Sequence, residues 1–321
     1  MKKVLVVGGA GYIGGGVTDC LIENKIPFAV YDNLTYEHHY LKPVEFIYGD
    51  IRDTDKLKQI LPDYSHVIWL AALVGDPACA INPALTKEIN QDSVKWLAEN
   101  FDGRILFTST CSVYGANDKP VTEESDINPL SVYAQTKYEA EQFLKDKDAL
   151  IFRLGTAFGV SDTYARIRMD LAVNVMTMNA LRRGYLDVFG GTQWRPFVHV
   201  KDIARFLVNN LDTEHRGIYN IATENITINE LAKKIQQKTG CEIKTTEQKF
   251  QDNRNYNADT TKALQADILP TDTEYDIDFG IEQVVKIVNE KRVNDLDYDI
   301  YSNVKRLGSI INEYSTRSIQ N

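Results

Sequence analysis

The sequence predicts an α/β protein: a doubly wound parallel sheet with a smaller mixed α/β part attached. Three observations carry that reading. Short β-branched and aromatic runs alternate with longer amphipathic stretches through the first half of the chain. A glycine-rich turn follows the first of those runs directly. After residues 151–154 the strict alternation fades into a stretch rich in Gly, Arg and aromatic residues.

Residues 3–7, 28–31, 45–48, 66–70 and 104–107 read as the strands, with helical patterns between them. Right-handed crossovers joining such strands place a ligand crevice at their carboxyl ends. Residues 1–160, with about 198–222, are assigned to the sheet domain. Residues 161–197 and about 223–321 form the smaller part, laid over the crevice. No internal repeat, low-complexity tract or Pro/Gly linker separates the two.

Composition narrows the class. At 321 residues and 43% hydrophobic content, the chain can bury a sizeable core. Its net charge of -9, from 45 acidic and 36 basic residues with no Lys/Arg run, argues against a nucleic-acid partner. Cys20, Cys79, Cys111 and Cys241 lack CxxC spacing, which fits reduced thiols in a cytoplasmic protein with no metal site. The apolar run at 4–7 is too short for a signal peptide or a membrane span, so a soluble, unprocessed protein without a membrane partner is expected.

The first strand runs into Gly8-Gly9-Ala10-Gly11-Tyr12-Ile13-Gly14. Gly8 permits the tight turn, Gly11 lets backbone approach a pyrophosphate, and Gly14 allows close helix–strand packing. The helix start, with Tyr12 and Ile13, faces the phosphates. Alone, such a turn reads equally as a plain Gly-rich connection. Asp32, at the end of the second strand, can accept hydrogen bonds from both ribose hydroxyls of an adenosine and would repel a 2′-phosphate, which favours NAD over NADP. The competing reading of Asp32-Asn33 is a turn. Asp50-Ile51 offers a carboxylate and an apolar wall for adenine, although GDxRD by itself reads as a helix cap.

Thr110 follows the strand at 104–107, and Tyr133 and Lys137 lie four apart on a predicted helix. Positions i and i+4 share a face, so the ammonium can sit beside the phenol and favour phenolate. Tyr133 can then take a proton as hydride leaves a substrate carbon, with Thr110 holding the same hydroxyl. The spacing carries little information alone. With 17 tyrosines and 36 basic residues, roughly two Tyr-x-x-x-Lys/Arg pairs arise by chance. Tyr301/Lys305 is such a pair and reads as a solvated helix face. Tyr133 differs because residues 109–115, Ser-Thr-Cys-Ser-Val-Tyr-Gly, precede it at a strand end.

Gly8 to Gly14, Asp32, Gly49-Asp50, Leu70-Ala71-Ala72, Asn90, residues 110–115, Tyr133/Lys137, Arg153 and the RPFVHVKD run from Arg195 to Asp202 occur in this order. Together they resemble the extended short-chain dehydrogenase/reductases, NAD-dependent epimerases and dehydratases of nucleotide sugars. The resemblance implies a Rossmann fold with tightly bound NAD, contacted further by Asn33, Leu70, Ala71, Ala72 and Asn90, and a nucleotide-diphosphosugar substrate held by the second part. It implies that Arg195 grips the diphosphate, with Asn174 and Arg254 in regions that hold diphosphate or base. A capping Asn and a surface Arg are the alternatives for those two. His199 reads as a brace for its strand.

Departures from the family pattern narrow the chemistry. The sugar 4,6-dehydratases carry an acidic pair after the catalytic threonine, where this chain has Cys111 and Ser112. The 3,5-epimerising relatives place a cysteine where this chain has Ser112. What remains is oxidation of the C4 hydroxyl to a 4-keto sugar, by a 4-epimerase or by a 4-dehydrogenase that releases the ketone. Leu154-Gly155-Thr156 and the turn from Val74 to Pro77 suggest a reshaped sugar pocket, with Thr156 and Val74 as contacts. Arg166 and Arg168 leave room for a sugar larger than a hexose. A weaker resemblance points to enzymes that modify GDP-heptoses for bacterial capsules, a surface-polysaccharide context. A 4-keto-sugar reductase and a non-catalytic NAD-sensing binding protein are the alternatives, and the nucleobase, GDP or UDP, stays open. Relatives pair the Tyr133 helix with the preceding one, about 87–99, in a homodimeric four-helix bundle. Val94, Leu97, Tyr138 and Phe143 could supply its stripe, or pack within one subunit.

Overall fold

The computed structural model describes residues 3–164, 166–246, 254–293, 295 and 298–316. The expected second part also includes 165, 247–253, 294, 296–297 and 317–321, which lie outside the described residues. Strands β1 (Val4–Val7), β2 (Phe28–Asp32), β3 (Glu45–Tyr48), β4 (His66–Trp69), β5 (Arg104–Thr110) and β6 (Ala149–Leu154) join β10 (Gly217–Ile221) in one sheet. Its order is β10-β6-β5-β4-β1-β2-β3, parallel throughout. A second sheet orders β11 (Glu224–Thr227), β9 (Trp194–His199) and β7 (Thr156–Phe158), and β8 (Tyr185–Phe189) pairs with β12 (Glu242–Thr246). The helices are α1 (Tyr12–Glu23), α2 (Thr54–Ile60), α3 (Asp76–Ile81), α4 (Pro83–Lys87), α5 (Ser93–Asn100) and α6 (Val132–Leu144). They continue with α7 (Ala172–Arg183), α8 (Val200–Asn209), α9 (Ile228–Thr239), α10 (Thr261–Gln265), α11 (Ile277–Asn289) and α12 (Asn303–Thr316).

A parallel sheet is covered on both faces, so its strands read as unbroken apolar runs. β1, Val-Leu-Val-Val, is wholly buried. One face packs Leu5, Val7, Tyr31, Trp69 and Phe107, and the other Val4, Val6, Ile68, Leu106 and Phe152. β5 runs three residues past the predicted strand because Thr108, Ser109 and Thr110 keep register with Phe152, Arg153 and Leu154. The chain leaves β1 toward β2 and β3, then returns to β4 on the other flank. That reversal opens the sheet's crevice beside the β1 and β4 carboxyl ends.

The two parts interleave more than the sequence suggests. β7 falls inside the expected 1–160 unit yet pairs with β9 in the small sheet. Ala263, Ile268 and Leu269, expected in the second part, pack on the large sheet, and so does Leu307 of α12. Tyr301 and Lys305 share no helix. Tyr301 ends a 3-10 turn, Asp299–Tyr301, against the cluster of Val160 and Ile287, while Lys305 is exposed on α12. Val94 and Leu97 are fully buried in the large-sheet core, so within-subunit packing accounts for them. Tyr138 and Phe143 stay half-buried. No helix among the described residues is long and apolar enough to cross a membrane.

Candidate active site

A cleft of about 100 Å³ opens at the switch point, lined by Gly8, Gly11, Asp32, Asn33, Tyr36, Glu37, Ile51, Leu70, Ala71 and Ala72. Gly8 sits at φ +83°, where a Cβ would lie 2.5 Å from the Ala71 amide nitrogen. A Cβ on Gly14 would strike the Gly9 carbonyl oxygen at 2.5 Å. Gly11 begins α1 without a side-chain cap, leaving the first amides of the helix toward the cleft mouth. Ile13 packs toward the sheet, and the Tyr12 phenol donates to the Gly159 carbonyl at 2.8 Å, tying the glycine turn to the smaller part.

Asp32 accepts from the Ala10 and Leu34 amides at 3.1 and 2.8 Å. Burial nevertheless raises its carboxyl above the usual range. Gly49 and Ile51 line the cleft, whereas the Asp50 carboxylate is bracketed by the Arg52 guanidinium at 2.9 and 2.8 Å and by Asn33 Nδ2 at 2.9 Å. Burial pushes Asp50 up, but these partners outweigh it and hold it low. Within GDxRD it is Asp53 that caps α2, accepting from the Lys56 amide. Asn90, in a π turn, exchanges two 2.8 Å bonds with the Leu73 backbone and fixes the loop after β4.

Thr110 ends β5 and accepts the Ser112 amide at 3.1 Å. Ser131 caps α6 by accepting the Ala134 amide, and the helix brings Tyr133 near Thr110. The Lys137 Nζ stands 4.0 Å from the Phe107 ring centroid. Burial pushes Lys137 down to about 7, opposed by Glu141 and then Cys79. Burial also raises the Tyr133 phenol, reinforced by Cys79 and Asp76, while Arg168 and the Thr110 hydroxyl pull the other way. Arg168, to which the Tyr133/Lys137 spacing does not point, also bears on the phenol.

Arg168 pairs with Asp170 at 2.9 Å and lies 5.7 Å from the Tyr12 ring. Arg166 stacks over Tyr36 at 4.5 Å, donates to the Ile300 carbonyl at 2.8 Å and bonds Asn303, and burial lowers it to about 10. Asn303 donates to the Val74 carbonyl at 2.9 Å. The sequence places the C-terminal helix in the smaller part, whereas its contacts reach Val74 and the large-sheet core, partners far away in the chain.

The predicted substrate residues come together in part. Arg195 donates to the Trp194 carbonyl at 2.8 Å and to the carbonyl of Arg254, 59 residues on. Arg254 pairs with Asp76 at 3.2 Å, and Asp76 accepts from the α6 cap Ser131 at 2.8 Å. This chain ends beside the start of the Tyr133 helix. Asn174 lies elsewhere, fully buried, with Oδ1 accepting the Gly159 amide and Nδ2 donating to the carbonyls of Gly159 and Arg168 at 2.8–3.0 Å. Thr156 opens β7 opposite Phe197. The Cys111 Sγ donates to the Arg153 carbonyl at 3.1 Å, and burial pushes that thiol up, so it is no base. His199 Nδ1 accepts the Lys201 amide, which leaves Nε2 to donate to Gln283 at 2.8 Å. It braces β9 against α11.

The model of the NAD dependent epimerase/dehydratase family matches residues 4–222. A putative UDP-glucose 4-epimerase of Methanocaldococcus jannaschii is 31% identical over 298 residues, covering 88% of this chain and 97% of that protein. UDP-glucuronic acid decarboxylase 2 of Arabidopsis thaliana is 28% identical over 256 residues, 73% of this chain and 56% of that protein. The crystal structure of UDP-glucose 4-epimerase with UDP-glucose from Thermotoga maritima superposes with a TM-score of 0.77 at 27% identity, covering 89% of this chain and 99% of that one.

Proposed function

This chain belongs to the NAD dependent epimerase/dehydratase family, and on that premise we propose that it oxidises the C4 hydroxyl of a nucleotide-diphosphosugar to a 4-keto sugar. The observation that carries the reading is the placement of Tyr133 on α6 near Thr110 at the end of β5, with Lys137 one turn along the same face of the helix. NAD fits the cleft, since the uncapped α1 start suits a pyrophosphate and Asp32 suits ribose hydroxyls. When bound, NAD supplies the hydride acceptor.

Tyr133 then takes the C4 hydroxyl proton, and Thr110 holds the same oxygen in line. Arg168 and Thr110 favour phenolate against the burial that opposes it. Arg195 and Arg254 are suited to diphosphate oxygens, because a guanidinium presents paired donors. Cys111 and Ser112 offer no carboxylate base after Thr110, which disfavours 4,6-elimination. The half-buried Tyr138 and Phe143 on α6 support a homodimer through that helix, and the scattered thiols support a cytoplasmic location.

The test is incubation with UDP- and GDP-hexoses and GDP-heptoses, following cofactor reduction and product mass. An isomer of unchanged mass with no net reduction establishes a 4-epimerase. A product two hydrogens lighter, with NADH accumulating, establishes a 4-dehydrogenase, and conversion of the heptose alone assigns the surface-polysaccharide context. Absence of turnover with every sugar overturns the reading.

A further inference from the structure

Glu141 lies one turn beyond Lys137 on α6, and proton transfer at Tyr133 gives it no task. Its carboxylate has no exposed surface. Ser109 donates its hydroxyl to one oxygen. Arg153 brackets both, with Nε at 3.1 and 3.2 Å and Nη2 at 2.7 Å. Ser109 directly precedes Thr110 on β5, and Arg153 stands opposite Ser109 in the β5–β6 register. One carboxylate thus fastens the helix of Tyr133 and Lys137 to the strand end of Thr110. Arg153 Nη1 extends the network to the Tyr114 hydroxyl at 2.9 Å, which donates to Asn220 on β10 at 2.7 Å.

Burying an ion pair costs desolvation that packed apolar side chains would avoid, so stability explains this network poorly. Position explains it better. Arg153 is the cation bonded to this carboxylate; Lys137, one turn away on α6, is favoured in its charged form by Glu141 and then Cys79 against the burial that lowers it to about 7, while burial pushes the Cys79 thiol up to about 12. Resting on the C4-oxidation reading, we propose that Glu141 is a positioning residue, holding Tyr133 and Lys137 in register with Thr110 and balancing the Lys137 ammonium. A misplacement of about 1 Å in such a set can cost on the order of 10²-fold in rate.

The test compares wild type, Glu141→Gln and Ser109→Ala for kcat and KM, melting temperature, and Lys137 titration by NMR. The NMR uses protein carrying 13Cε-lysine, with Lys137→Met assigning the signal. In Glu141→Gln, kcat is expected to fall on the order of 10²-fold with KM little changed. Lys137 should lose its proton at lower pH than in wild type, because the carboxylate that favours its charged form is gone. Ser109→Ala should lower kcat by less, and the hydrogen bond lost from a buried carboxylate should lower its melting temperature modestly while it still folds. A folded Glu141→Gln with wild-type turnover and wild-type Lys137 titration overturns the proposal. Should that variant not fold, Ser109→Ala decides, and wild-type kcat there overturns it. If the wild type converts no nucleotide sugar, the C4 reading fails, while the titration, which needs no substrate, still tests Glu141.

Discussion

On the cofactor side of the crevice, Gly8, Gly11 and Asp32 line the cleft, Asp32 while also accepting two backbone amides; on the substrate side, Asn174 and Arg195 are bonded to the protein away from it. Asp32 and Gly11 face the cleft. Asn174 has both ends of its amide occupied by backbone, and Arg195 donates to two carbonyls. The difference teaches that a polar residue in a family's binding region can be there to hold the loop that binds. Asn174 locks Gly159 and the carbonyl of Arg168, whose guanidinium acts on Tyr133.

Tyr133→Phe gives the largest expected effect. Turnover should drop by about 10²–10⁴-fold with NAD and nucleotide sugar still bound, checked by single-turnover kinetics and calorimetry. Unchanged turnover would remove the chemistry from α6 and break the comparison at its centre.

Gly8→Ala comes next. Its positive φ and the approach to Ala71 should cost at least about 1–3 kcal/mol and release NAD on gel filtration. A variant that melts like wild type and keeps NAD would mean that this turn is not the tight cradle the geometry describes.

Asn174→Ala should act on stability instead of binding. It strands a buried amide and carbonyls, at roughly 1–3 kcal/mol in a urea melt, with KM for the nucleotide sugar little changed. A raised KM at unchanged stability would return Asn174 to the substrate and erase the contrast between the two sides.

The smallest effect at neutral pH belongs to His199, which burial pushes down to about 4 from its ordinary 6.5. Below 6.5 the unfolded chain binds a proton that the folded ring resists. The neutral ring's contribution is therefore fully present above pH 6.5 and lost as pH falls toward 4. Urea midpoints measured across that window should fall more steeply for wild type than for His199→Gln, and parallel curves would refute the assignment.

Legibility follows the same division. The glycine turn, the strand-end Asp32 and the Tyr133/Lys137 spacing are local patterns, each readable within a few residues of its own strand. β5 was underread because Thr108, Ser109 and Thr110 are polar, and only their pairing with β6 keeps them extended and buried. Asp50 looked like an adenine ligand, yet Arg52, two residues away, takes its carboxylate. The Arg254–Asp76 pair and the packing of α12 on the large sheet join segments far apart in sequence, which no local window contains.

The sequence by itself determined the sheet, the glycine turn after β1 and the shared helix face of Tyr133 and Lys137, because backbone geometry and side-chain periodicity are local properties. Only the tertiary structure decided their electrical state and their company. Burial raises Tyr133 and lowers Lys137, Arg168 adds a charge that favours phenolate, and Glu141 ties α6 to β5 and β6 through Ser109 and Arg153. Desolvation and charge–charge contact depend on what the fold packs around a group, and neighbours distant in the chain supply that environment.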